Sequence, residues 1–328
     1  MNDNNLGEFS IEEIRSKSKA ERMAYISEMY ISYPRANAIA EKIRYCFRAR
    51  ESSPEPLCVL LTGPSGSGKT TILEKILAEN QKFIEDDTLK VPVVMATVDA
   101  KATIGSLASR LLDGFGDPLS ESGVISKRIH RVEDFVECTN TKMILIDEIQ
   151  HFIDQDNNKV IQIVSDTLKN LIKTKKLACV LCGMSGQAEK VVDSNPQLAR
   201  LFPDPIVLEA FNWDERNPET IIEFRRILSE IDKIIPLREK SNLVNLETAW
   251  RIFYATDGLM GYLMKLIRIS TTYALERGYE KLDNALFAEV FEEFLGKERR
   301  GLLNPFLGDP PPNRIIKSGH ITNVSGEK

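Results

Sequence analysis

Histidine is scarce in this chain, with three residues at 130, 151 and 320 among 328, and their scatter argues against a zinc site. Cysteine is also sparse, and five is an odd number, which fits a reducing compartment better than a disulfide framework. Cys179 and Cys182 have the spacing of a metal or redox pair. They fall in a predicted strand, however, where residues three apart face opposite sides. No apolar run approaches the length of a membrane span. Met1-Asn2-Asp3-Asn4-Asn5 lacks the basic and apolar character of an export signal, so a cytoplasmic location with no membrane partner is expected. Positive charge is not in surplus either: 43 Lys and Arg against 48 Asp and Glu leave a net charge of −5. That balance argues against a dedicated monomeric DNA-binding domain, which usually displays a basic surface. It does not exclude a ring or filament that repeats a few basic side chains along one face. No internal repeat is found. What remains is an ordinary globular composition, 42% hydrophobic and 28% charged, in a chain long enough for two domains.

The most informative stretch present is Gly63-Pro64-Ser65-Gly66-Ser67-Gly68-Lys69-Thr70. It follows the apolar run Leu57–Thr62 and precedes Thr71-Ile72-Leu73-Glu74-Lys75-Ile76-Leu77. Strand, glycine-rich loop and helix in that order give the P-loop pattern in the context that supports it. The glycines let backbone N–H groups converge on phosphate oxygens, and the helix start adds its positive dipole end. Gly63 to Thr71 is therefore the expected nucleotide-binding set, with ATP and Mg²⁺ as cofactors. Lys69 is placed for the β- and γ-phosphates, and the Thr70 hydroxyl for the Mg²⁺. A second apolar run, Met143-Ile144-Leu145-Ile146, ends in Asp147-Glu148. An unalternated run reads as a central strand of a parallel sheet, and ligands gather at the carboxyl ends of such strands. Asp147 is then expected to hold the Mg²⁺ shell and Glu148 to polarise the attacking water.

Along the chain, residues 1 to 52 read as a helical extension, with capping boxes starting at Ser10 and Ser18 and a break at Tyr33-Pro34. Residues 53 to 212 alternate strands and helices, which predicts an α/β nucleotide-binding domain with a parallel sheet. Its expected strands include 91–98, 178–181 and 205–208. Ile161, Val164, Leu168 and Leu171 mark an amphipathic helix between two of them. Residues 213 to 300 carry only helical patterns and read as a small all-α lid. Residues 301 to 328 are proline-rich and read as a flexible tail. Within it, Leu302, Leu303, Phe306 and Leu307 form either a docking segment or a cluster that packs back on the lid.

Together these features resemble an AAA+ ATPase. Tyr33-Pro34, Ile146-Asp147-Glu148-Ile149-Gln150-His151, Gln197-Leu198-Ala199-Arg200-Leu201-Phe202, Gly258-Leu259-Met260-Gly261 and Asn304-Pro305-Phe306 narrow the resemblance to TniB/TnsC-type transposition ATPases, over roughly residues 20 to 307. The resemblance implies an ATP-dependent regulator that forms a ring or helical filament on double-stranded DNA and joins a target-selection protein to a transposase. It places Tyr33 and Pro34 beside the adenine and Ser185 at the γ-phosphate-sensing strand tip. Met184 occupies the place where relatives often have threonine, and Arg200 matches the arginine that reaches a neighbour's nucleotide. Lys101, just after the second strand, is the first DNA-contact candidate, with Lys127 and Arg128 behind it. Two other readings compete: a loader or initiator ATPase outside transposition, and a nucleotide-switched scaffold with little turnover.

Overall fold

The computed structural model describes residues 10–50, 52–100, 102–153, 158–296 and 302–312. Two capped helices come first, α1 (Ile11–Ser16) and α2 (Lys19–Glu28), each with the reciprocal capping box the sequence predicts. Then follow α3 (Pro34–Ala49), β1 (Cys58–Thr62), α4 (Lys69–Glu79), β2 (Phe83–Glu85), β3 (Thr88–Lys90) and β4 (Val93–Thr97). Next are α5 (Ile104–Phe115), α6 (Ile125–Cys138), β5 (Met143–Asp147), a 3-10 turn (Ile149–Phe152), α7 (Asn158–Lys175) and β6 (Ala178–Gly183). α8 (Ala188–Asp193), α9 (Pro196–Ala199) and β7 (Ile206–Val207) complete the α/β part. The remainder is helical: α10 (Pro218–Ile234), α11 (Leu246–Thr256), α12 (Met260–Arg277), α13 (Asn284–Val290) and a π turn (Phe291–Leu295).

The chain divides into two units. One is Arg35–Leu208. Its sheet is parallel, in the order β4-β5-β6-β1-β7. β1, β5 and β6 are buried at every position, as strands covered by helices on both faces must be. Register matters most for function. Thr62 lies opposite Gly183 and Val207, and Asp147 opposite Thr97, so the loop after β1 and the tips of β5 and β6 emerge on one edge. On α7 the expected stripe of Ile161, Val164, Leu168 and Leu171 is buried in the core beside this sheet. Cys179 belongs to that core and Cys182 does not, as their opposite orientation on β6 requires. One element escapes the sequence reading. β2 and β3 form a hairpin around Asp86 and Asp87, both at positive φ, and it exposes Phe83, Ile84 and Leu89.

The second unit joins the described residues up to Pro34 to those from Glu209 onward. The sequence reading set residues 1 to 52 apart as an extension; the division falls instead at Pro34, because α2 packs on α12. The contact has a polar anchor. Arg22 is buried, and its Nε donates to the Pro236 carbonyl at 2.6 Å while its Nη atoms donate to both Glu280 oxygens at 3.1 and 2.5 Å. The tail expectation is also corrected for residues 302–312, which pack back on the lid. Phe306 is buried against Phe287 and Phe291, at ring distances of 5.2 and 6.4 Å. Arg251 donates to the carbonyls of Pro305 (2.6 Å) and Gly308 (2.9 Å), and Trp250 Nε1 to that of Pro311 (2.8 Å). Buried lid donors thus capture carbonyls of an irregular, proline-containing segment. Residues 313–328 lie outside the described set. Among the described residues no helix is long and apolar enough to cross a membrane.

The Arg22–Glu280 pair has a pH signature. Hydrogen bonding to the Arg22 guanidinium, the leading cause, holds the Glu280 carboxyl below its ordinary value of 4.5. A carboxylate lowered by folding stabilises the fold above its ordinary pKa, and that contribution is lost as pH falls through the lowered value. Glu280→Gln should therefore lower stability at pH 7 by about 1.5–3 kcal/mol, the range of a charged hydrogen bond. Urea titrations should show the gap to wild type closing below pH of about 4.5. A gap that stays constant from pH 7 to pH 3 would contradict this anchor.

Candidate active site

The site is built on the first unit alone. After β1 the chain must turn sharply under β7, and Gly63 is the residue that permits it. A Cβ there would sit 2.3 Å from the Leu208 carbonyl oxygen and 3.1 Å from Ser67 Oγ. Gly66 and Gly68 have φ of +76° and +101°, the left-handed region that side chains disfavour. Gly68 is also the N-cap of α4 and supplies no side-chain cap, which leaves the first-turn N–H groups free to face the loop. Ser65 and Thr71 are exposed and Pro64 half-buried on the loop and the helix start.

Lys69 is 5% exposed, and its Nζ donates to the carbonyls of Gly63 (3.0 Å) and Pro64 (2.9 Å). A buried ammonium with only carbonyl partners lacks a counter-charge, and an anion in the loop would supply one. Ser67 Oγ is buried with no hydrogen-bond partner. These three features, the glycine cradle, the unpaired hydroxyl and the under-neutralised ammonium, fit phosphate oxygens.

The carboxyl end of β5 meets this loop. Thr70 Oγ1 donates to Asp147 Oδ2 at 2.6 Å, joining residues 77 positions apart in sequence. Asp147 is fully buried, and its other oxygen, Oδ1, accepts the Glu148 N–H at 2.8 Å. A hydroxyl and a carboxylate in contact at a phosphate-binding loop make a donor set suited to a hard divalent cation such as Mg²⁺. The Cys182 thiol lies beside them; burial and then the Asp147 charge push its pKa well up, so it stays a neutral thiol. Glu148 has φ of +59°, unusual for a residue with a side chain, so the turn after β5 projects it out of the strand direction.

In the sequence Gln150 is one residue of the Ile146–His151 run, and the structure gives it a specific place. Its Nε2 donates to Glu148 Oε2, and its Oε1 accepts the Met184 N–H at 3.1 Å. The sequence signal was a polar side chain in a turn whose neighbours Ile149 and Phe152 are buried. Ser185 is exposed at the tip of β6, next to Met184.

The remaining candidates are dispersed. Arg200 caps α9, is exposed, and its guanidinium makes no hydrogen bond or ion pair among the described residues. Tyr33 is buried in the other unit, 5.6 Å from the Phe211 ring, and Pro34 opens α3. Lys127 is exposed on α6. Arg128 is engaged within the fold: it donates to the carbonyls of Gly123 (3.2 Å) and Gly105 (3.2 Å) and to Ser109 Oγ (2.9 Å), tying α6 to α5. Lys101 lies outside the described residues.

The family model described as "Bacterial TniB protein" matches residues 22–213. The chain belongs to the TniB family. Among solved structures, this TniB-family chain is similar to the ORC1 protein of Aeropyrum pernix in complex with DNA, at 16% identity over 84% of this chain and 70% of that one, with a TM-score of 0.58. The ORC2 protein of the same organism, in ADPNP–ADP complexes, matches at 14% identity over 85% and 74%, with a TM-score of 0.57. The Cdc6p protein of Pyrobaculum aerophilum matches at 13% over 85% and 74%, with a TM-score of 0.59. Identities this low establish the fold alone: a parallel sheet flanked by helices, followed by C-terminal helices. No curated protein sequence matches the chain.

Proposed function

We propose that this TniB-family protein is an ATP-hydrolysing regulator of transposition that assembles on double-stranded DNA. The observation that carries the ATPase reading is the 2.6 Å contact of Thr70 with Asp147 at the mouth of the P-loop. Bound Mg²⁺ would neutralise phosphate charge, including the charge that develops on the leaving group. The chain's own residues do the rest. Backbone N–H groups from Gly66 to Thr70 and the α4 terminus bind phosphate oxygens, and Lys69 turns from its carbonyls to the β- and γ-phosphates. Thr70 and Asp147 hold the cation. Glu148 orients water and accepts its proton. Ser185 at the β6 tip would sense the γ-phosphate; the adenine role of Tyr33 and Pro34 rests on the family resemblance alone.

DNA binding and the transposase and target-selector partners rest on family membership. The Aeropyrum ORC1 structure in complex with DNA is compatible with the same use of the fold. A chain with net charge −5 gains duplex affinity by repeating Lys101 and Lys127 along an oligomer. Arg128 is the weaker candidate, since its guanidinium is already held by three partners.

Arg200 supplies the reason to assemble. An exposed arginine whose guanidinium has no partner among the described residues is suited to a neighbour's γ-phosphate, where such fingers contribute about 10³-fold or more to turnover. With ATP and random duplex, wild type should form rings or filaments visible by microscopy, with binding that weakens as salt rises. Arg200→Ala should bind ATP within about threefold of wild type yet assemble or hydrolyse poorly. A wild type that stays monomeric with ATP and duplex would refute this reading.

A further inference from the structure

The turn after β5 joins two parts of the site that the proposed mechanism treats separately. Glu148 is the base, and the β6 tip is where a γ-phosphate would be felt. Gln150 touches both: its amide nitrogen donates to Glu148 Oε2, and its amide oxygen accepts the Met184 N–H at 3.1 Å. The amide is buried, with only 3% of Gln150 exposed. A buried amide whose two ends are both satisfied has one preferred orientation, since flipping it would set donor against donor at Met184 and acceptor against acceptor at Glu148.

The surroundings are shaped around that side chain. A Cβ on Gly183 would lie 2.6 Å from Gln150 Oε1 and 3.0 Å from both Ala188 Cβ and Ile149 Cγ2, so the strand tip approaches the amide only because residue 183 is glycine. Glu148 itself sits at φ +59°, with its N–H committed to Asp147 Oδ1 at 2.8 Å. Its backbone is thereby fixed, and the carboxylate orientation is left to the partner on Oε2. His151 Nε2 stands 3.9 Å from that same oxygen, within ion-pair range but beyond hydrogen-bond length, whereas Gln150 donates to it directly.

We propose that Gln150 is a positioning residue that holds the Glu148 carboxylate for attack and couples it to the backbone of the β6 tip. This rests on the reading of Glu148 as the hydrolytic base. With Oε2 held by the amide, Oε1 is the oxygen that faces water. A shift of the Met184 backbone moves Gln150 Oε1, and the rigid amide transmits that shift to Glu148. The arrangement lets a backbone contact report on the tip. It does not depend on a side chain at residue 184, where this sequence has methionine instead of the threonine the resemblance leads one to expect.

Gln150→Leu fills similar volume and removes both hydrogen bonds. Gln150→Glu keeps an acceptor for the Met184 N–H but replaces the donor to Glu148 with a second carboxyl that repels it. With the full-length protein, ATP and random duplex, both should keep KM for ATP within about threefold while kcat falls about 10–100-fold, the loss typical of a misplaced reacting group. A merely structural role would lower ATP affinity and kcat together. In a Glu148→Gln background, adding Gln150→Leu should leave single-turnover hydrolysis unchanged, because the group being positioned is already gone. Unchanged kcat in both single variants, or a further loss in the double variant, would overturn the proposal. If Glu148→Gln itself hydrolyses ATP like wild type, the reading of Glu148 fails instead, and the two failures are told apart by that single variant.

Discussion

Lys69→Ala is expected to lose ATP binding by about 100-fold or more, close to 3 kcal/mol. Its ammonium is buried and turned onto the Gly63 and Pro64 carbonyls, so it has no ion pair to give up when phosphate arrives. Exchanging neutral partners for an anion at a buried ammonium is strongly favourable. The fold should survive, since those two carbonyls sit at the open loop and water can replace the ammonium. Titration with a fluorescent ATP analogue, alongside thermal unfolding, checks both points. Equal affinity in wild type and Lys69→Ala would sink the nucleotide assignment.

The second large effect belongs to Glu148. Glu148→Gln should bind ATP within about threefold of wild type and turn it over about 10²–10⁴-fold more slowly, the range of a general base. The variant keeps the shape of the turn. A glutamine oxygen accepts from Gln150 as the carboxylate does, and the backbone N–H to Asp147 Oδ1 is unaffected. It should also accumulate in the ATP-bound, assembled form, because assembly needs the nucleotide and not its cleavage. Measurement of bound nucleotide after rapid desalting would show ATP retained; ADP in its place would contradict the role given to Glu148.

Much of this site was legible before any coordinates, for identifiable reasons. The P-loop is read from contiguous residues whose backbone conformation is dictated by glycine, and Gly63, Gly66 and Gly68 adopt the expected close approach and positive φ. Unalternated apolar runs marked β1, β5 and β6, because burial on both faces leaves no other composition. What escaped depends on contacts between distant residues. The role of Gln150 is set by Gly183 and Met184, more than thirty positions away on β6. Arg128 looked like a free cation until α5 supplied Ser109 and the Gly105 carbonyl. The 302–312 segment reads as a flexible tail by composition, yet Trp250 and Arg251 donate to its carbonyls and hold it. The β2–β3 hairpin was missed because an Asp86-Asp87 turn carries a weaker signal than Asn-Gly or Asp-Gly.

Steady-state phosphate release by the wild-type protein, with and without random duplex DNA, tests the central claim most directly. The Thr70–Asp147 contact, the placed Glu148 and the exposed Arg200 together predict slow turnover of ATP by the free protein. Duplex DNA should raise it by about tenfold or more, as neighbours bring Arg200 to each other's sites. ATP binding with no phosphate release in either condition would contradict an ATP-hydrolysing regulator and leave a nucleotide-switched scaffold.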